Sequence, residues 1–159
     1  MKRFLAAAAS FAVVLVVAAI AAPLLVETIV VHTRTGPHRF RVQVAADSAA
    51  QERGLMYRRH MAADAGMIFP FPQPEMVIFW MKNTYIPLDL IFVRADGTVS
   101  SVAVDAVPMS TKAIPSNEPV SAVIELNAGR VRAFGIAPGD RVLAREFGSF
   151  GSVPEGPEH

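Results

Sequence analysis

The stretch "HRFRVQVA" (38–45) alternates Phe40, Val42 and Val44 with Arg39, Arg41 and Gln43. A period of two is the signature of a strand with one buried face. Short apolar runs of strand character recur along the chain: "TIVVHT" (28–33), "MVIFWMK" (76–82), "LDLIFVR" (88–94), "TVSSVAVDAV" (98–107), "SAVIEL" (121–126) and "RVLARE" (141–146). Turn signals punctuate them, among them Gly36-Pro37, Asp96-Gly97 and Pro138-Gly139-Asp140. Pro70, Pro72 and Pro74 in "FPFPQPE" argue against regular structure over residues 60–76. One helix is expected from Ser48, where Ser48 and Gln51 fit a capping box and few residues are β-branched. A second short helix, in "NAGRVRAFG" (127–135), stops at Gly135. A βαβ design needs a long helix after each strand, and none is present. The pattern predicts a mainly β fold: a compact single-domain β-sandwich or barrel-like structure with one or two short helices.

At 159 residues the chain has room for one such domain. Its excess of apolar residues lies at the start, in "MKRFLAAAASFAVVLVVAAIAAPLLVE". Lys2 and Arg3 form a positive leader end, an uncharged apolar stretch runs from Phe4 to Val26, and small residues precede Pro23 as a signal-peptidase site requires. The same stretch is long enough to span a bilayer as a helix. Residues 1–26 are therefore read as a signal peptide or an N-terminal membrane anchor. Both place the β-rich domain (27–147) outside the cytoplasm, in the periplasm or on the outer face of the cytoplasmic membrane. The tail, "FGSFGSVPEGPEH", is rich in Gly, Pro and Ser, and 148–159 is expected to be disordered.

Fifteen basic and 14 acidic side chains are mixed along the sequence with no stripe wide enough to track phosphates, so no nucleic-acid partner is expected. The absence of cysteine excludes disulfides, thiolate catalysis and cysteine zinc sites. His32, His38, His60 and His159 fall in no nucleophile motif and at no metal-ligand spacing, and there is no phosphate-cradling glycine loop. No cofactor and no metal is predicted. Five of the seven methionines (Met56, Met61, Met67, Met76 and Met81) cluster, but without a tight repeat they read as adaptable core filler rather than Cu(I) ligands.

Polar residues embedded in the apolar runs carry the functional reading. Asp89 shares parity with Ile91 and Val93, so it faces an apolar side of its strand; Glu125 sits among apolar neighbours in "AVIELNAG". Either carboxylate could close an internal ion pair or accept backbone N–H bonds, with Lys82 and Arg58 as candidate partners of Asp89. Together they could also act as the acid and base of a glycan-cleaving pair. Lys82 and Asn83 follow Trp80 at a strand end, where a flat apolar face beside oriented donors suits a small-ligand cleft; a plain turn is the alternative.

"ERGLMYRR", "GMIFPF", "FWMKNTYIPLDLIF", "ADGTV", "VIELNAG" and "GIAPGDRV" occur here in that order. Over about residues 38–143 the chain resembles domain-of-unknown-function family 192, also catalogued as uncharacterised protein family 0127. The resemblance implies a compact β-rich sandwich, often exported or membrane-anchored, and no established activity. On the matching motif positions it implies that the glycines serve turns and that Trp80 and Leu126 are core. Arg58, Lys82, Asn83, Asp89, Glu125 and Asn127 are left as the polar residues able to bind something.

The sequence thus predicts an exported envelope domain that binds a small polar or glycan-like ligand non-catalytically, through Arg58, Trp80, Lys82, Asn83, Asp89, Glu125 and Asn127. Any membrane contact is expected only through an uncleaved N-terminal segment. An envelope hydrolase using Asp89 and Glu125, or a structural protein-interaction domain, are the alternative readings.

Overall fold

A computed structural model describes residues 23–148. The elements among them are β1 (Val26–Thr33), β2 (Gly36–Val44), α1 (Ser48–Arg53), β3 (Ala65–Glu75), β4 (Ile78–Phe79), β5 (Leu88–Val93), β6 (Val99–Ala106), β7 (Ile114–Pro115), β8 (Val120–Asn127), α2 (Arg130–Phe134) and β9 (Arg141–Leu143), with a 3-10 turn at Arg145–Phe147. Seven strands form one sheet in the order β6-β5-β8-β3-β2-β1-β9, and β4 and β7 form a two-stranded ribbon. Every neighbouring pair in the large sheet is antiparallel except β2 and β3. A parallel pair needs a crossover, and the crossover between β2 and β3 carries α1.

A bridge between Thr98 and Arg141, with Val99 N–H donating to the Asp140 carbonyl at 2.8 Å, draws the two ends of the sheet together. The sheet therefore curls into a half-barrel, and the fold is mainly β with two short helices, as the strand pattern predicts. One apolar cluster draws on all seven strands and on Val131 of α2, and marks the enclosed face. A second cluster lies on the opposite face, where Met67, Phe69, Leu88, Leu90, Phe92 and Val123 pack against Leu55 and Met81. All six residues of β5 are buried because both its faces are covered, which explains a continuous apolar run in place of alternation.

Several local expectations change. The proline-rich segment is strand: β3 continues through Pro70, Pro72 and Pro74 to Glu75. Beyond Ile68, β3 no longer pairs with β2, and its register against β8 shifts between Pro70 and Glu75, so a proline's missing N–H removes no ladder bond on that free side. "MVIFWMK" shrinks to the two residues of β4, and "RVLARE" ends as strand at Leu143. The cap of α1 is Asp47, whose carboxylate accepts from Ala50 N–H at 2.8 Å, while Gln51 donates to the Pro70 carbonyl. Gly66 is no turn residue but a β3 position where a Cβ would lie 2.5 Å from the Glu125 carbonyl oxygen. Gly135 does end α2, in the left-handed conformation. The expected leader falls outside the described residues up to 22, and its proposed last residue, Val26, opens β1; the expected tail lies outside them from 149 onward.

Candidate functional site

The crossover lays α1 against the outer face of β3. Gln51 Nε2 holds the Pro70 carbonyl at 2.9 Å, and the turn at Gly54 packs beside the Phe69 ring. Across from it, the turn after β4 is clipped to the chain following α1. Tyr57 N–H donates to the Asn83 carbonyl at 2.8 Å, and Asn83 Nδ2 donates to the Tyr57 hydroxyl at 3.0 Å. Between these segments opens a cleft of about 760 Å³. Phe69, Phe71, Phe79 and Trp80 wall it, Arg53 and Lys82 stand among its lining, and Glu125 reaches it from the sheet beneath. Phe69 and Phe79 meet edge to face with centroids 5.1 Å apart, which fixes the back wall.

Glu125 is 5% exposed. Its register partners are Met67 on β3 and Leu90 on β5, both buried and apolar, so neither neighbouring strand offers it a donor. No described residue hydrogen-bonds its carboxyl group. Desolvation by burial pushes its pKa up to about 8, against a smaller opposing pull from the Arg58 guanidinium. At neutral pH it is therefore a neutral acid, with one O–H to donate and a carbonyl to accept. The Arg58 pKa is itself lowered, first by burial and then by repulsion from Arg53, with Glu125 acting the other way.

The residues expected to form one site divide. Trp80, Lys82, Asn83 and Glu125 line the cleft. Trp80 is 54% exposed at its mouth, not core, while Leu126 is fully buried. Asn83 adopts φ 56°, the left-handed turn conformation that asparagine tolerates, and its amide is spent on Tyr57. Arg58 is not in the lining and donates to Gln43 Oε1. Asn127 is away from it, its Nδ2 holding the Met61 and Ala62 carbonyls at 3.3 and 2.8 Å.

Asp89 is on the other side of the sheet. In the antiparallel register Asp89 opposes Leu126 and Leu90 opposes Glu125, and consecutive residues alternate faces, so the two carboxylates point to opposite faces. The acid–base pair of a glycan-cleaving enzyme cannot form from them. Nor does Asp89 pair with Lys82 or Arg58: Oδ1 accepts from Asp105 N–H and Oδ2 from Val131 N–H, each at 2.9 Å. Arg53, Phe69, Phe71 and Phe79 are cleft residues that sequence reasoning missed. A crossover helix placed over β3 was the missing information, since the helix brings Arg53 and the sheet brings the phenylalanines.

The DUF192 family model, described as Uncharacterized ACR, matches residues 29–144. No curated protein matches. A crystal structure of a "putative transcription regulator" from Sinorhizobium meliloti 1021 is similar at TM-score 0.76 and 44% identity, over 79% of this chain and 98% of that one. A protein of unknown function from Novosphingobium aromaticivorans DSM 12444 is similar at TM-score 0.74 and 41% identity, over 86% of this chain and 94% of that one.

Proposed function

We propose, from the premise that this chain belongs to the DUF192 family and that the family's description assigns no activity, that it is an envelope domain binding a small polar, glycan-like ligand non-catalytically in the cleft above Glu125. The carrying observation is Glu125 itself. Its nearly buried carboxyl group is hydrogen-bonded by no described residue and opens on the cleft, and poorly solvated polar groups of this kind concentrate where a ligand completes them. The aromatic walls and sparse polar groups suit a small-molecule site, and the volume lies within the usual range of roughly 300–1,000 Å³. Export is proposed from the positive, then apolar, then small-residue order of the N-terminal sequence.

Binding is tested by titrating the full-length chain with a panel of sugars and small polar metabolites while recording backbone amide shifts. Shifts grouped at residues 52–56, 79–84 and 125 are expected; a panel that leaves those amides still removes the reading. Export is tested by fusing a reporter that is active only outside the cytoplasm after residue 148, and an inactive fusion sinks that half of the proposal. A transcription-regulator reading, taken from the name of the Sinorhizobium meliloti neighbour, gains nothing from a chain with 15 basic and 14 acidic side chains and no basic stripe.

A further inference from the structure

We infer that the cleft recognises an N-acylated amino sugar, the Glu125 carboxyl group donating a hydrogen bond to the acyl carbonyl and the Trp80 ring lying against the sugar face. This rests on the ligand-binding reading above and narrows it to one ligand class.

The floor decides the deep group. Glu125 has buried, apolar Met67 and Leu90 as its neighbours on the two adjoining strands and Phe69 in the wall, so the side of its carboxyl group toward the sheet is apolar, with the Arg58 charge acting on it from outside the lining. An acylamino group matches that surround: its carbonyl is one strong acceptor and its methyl is apolar. A bare edge of sugar hydroxyls would bring several donors into a place with a single partner, each left unpaired at a cost. An ammonium group finds no net attraction in the lining, where Arg53 and Lys82 offset Glu52 and Glu75, while Glu125 keeps its proton at neutral pH and the Arg58 charge acts on the same spot.

The mouth decides the rest of the ligand. Trp80 offers a flat, half-exposed apolar surface, the complement of a sugar's C–H face. Glu52, Arg53, Glu75 and Lys82 also line the cleft and form ion pairs with no described residue, which leaves them to ring hydroxyls. An extended peptide, which also carries amides, would need a strand edge to pair with. Of the strands lining the cleft, β4 is two residues long, and the free edge of β3 carries Pro70, Pro72 and Pro74, which have no N–H to give a ladder, with the Pro70 carbonyl already taken by Gln51.

The test is a fluorescence titration of the full-length chain, reading Trp80, its single tryptophan, with N-acetylglucosamine, glucosamine, glucose and N-acetylalanine methylamide. N-acetylglucosamine is expected to bind at least about tenfold more tightly than the other three, the value of one good hydrogen bond. Its affinity should be level below pH 7 and fall about tenfold per pH unit well above pH 8, as Glu125 loses the proton it donates. Glu125→Gln keeps a donor in place but cannot ionise, so its binding should lose that alkaline fall. Glu125→Leu should bind at least about tenfold more weakly.

Preference for glucosamine, tightening as pH rises, would overturn the inference in favour of an amine. Equal binding of N-acetylalanine methylamide would overturn it in favour of a peptide. Glucose binding as well as N-acetylglucosamine removes the acyl group from the account but leaves a sugar-binding cleft. If neither sugar perturbs Trp80 or the cleft amides, the inference falls, and the ligand-binding reading is decided separately by the wider panel of small polar metabolites.

Discussion

Asp89 lies on the enclosed face of β5, where the N–H groups of Asp105 and Val131 take its two carboxylate oxygens. Those bonds tie β5, second from one end of the sheet, to an irregularity in β6, where Asp105 has φ 52°, and to the first turn of α2. Replacing Asp89 with Asn turns one oxygen into an NH₂ group facing a backbone donor. That buried mismatch should lower unfolding free energy by about 2–3 kcal/mol. Urea unfolding checks it: a shifted midpoint with an unchanged slope is expected, and an unshifted midpoint would show that the two bonds contribute nothing net. Asn83 is a lesser case of the same kind. Asn83→Gly keeps the left-handed turn and loses the side-chain contacts to the Tyr57 hydroxyl and the Met56 sulfur, whereas Asn83→Ala loses the same contacts and adds backbone strain of about 1 kcal/mol. The alanine variant should therefore unfold at lower urea than the glycine variant. Parity with Ile91 and Val93 was enough to place Asp89 on an apolar face. Its partners were out of reach of that reasoning because they are backbone groups 16 and 42 positions along the chain.

Strands with their own alternation or continuous apolar runs, such as β2, β5 and β8, could be read from local pattern because burial of their side chains is what makes them strands. β3 could not, because its prolines are tolerated only through a neighbour it lacks beyond Ile68, a property of the sheet and not of the segment. The cleft inherits that difference. Trp80, Lys82, Asn83 and Glu125 share two conspicuous motifs, whereas Phe69 and Phe71 belong to the segment that local reasoning set aside as irregular. Gly66 is the sharpest test of how β3 meets β8. A Cβ there would stand 2.5 Å from the Glu125 carbonyl oxygen and 2.7 Å from Leu126 Cδ2, and a backbone atom cannot swing aside as a side-chain tip can. Gly66→Ala should force the two strands apart and destabilise the domain by about 3 kcal/mol. Hydrogen exchange should show the largest loss of protection at the amides of residues 66–70 and 122–126; a uniform loss across the sheet would point to general weakening instead.

Among the described residues, two carboxyl groups have raised pKa values, one on each face of the sheet. On the enclosed face the Glu27 pKa is raised by burial and then by the neighbouring Glu146 carboxyl, with Arg145 pulling the other way. On the outer face Glu125 stands at about 8, against 4.5 for an ordinary glutamate. A folded state that holds a proton more tightly than the unfolded chain is fully favoured below the unfolded pKa and loses ground as pH rises toward the folded one. For Glu125 the window runs from about 4.5 to about 8, and Glu27 acts in the same direction. Asp96 and Glu118, whose pKa values are lowered by hydrogen bonds from Thr98 and Ser100 first of all, act in the opposite sense, and only at more acid pH. Stability should therefore peak near pH 4–5 and decline through neutrality, by at most about 1.4 kcal/mol per pH unit for each raised group. Urea midpoints at pH 5, 6, 7 and 8 should fall in order, Glu125→Gln should flatten part of the slope, and Glu27→Gln a further part. A ligand that accepts the Glu125 proton in a hydrogen bond stabilises the folded state most where that proton is still present. Saturating ligand should thus raise the midpoint more at pH 6 than well above pH 8, and should leave the part of the slope belonging to Glu27 unchanged, since that group faces the enclosed side with Ile29 and Val31. A ligand effect that instead tracked Glu27→Gln would place binding on the wrong face of the sheet.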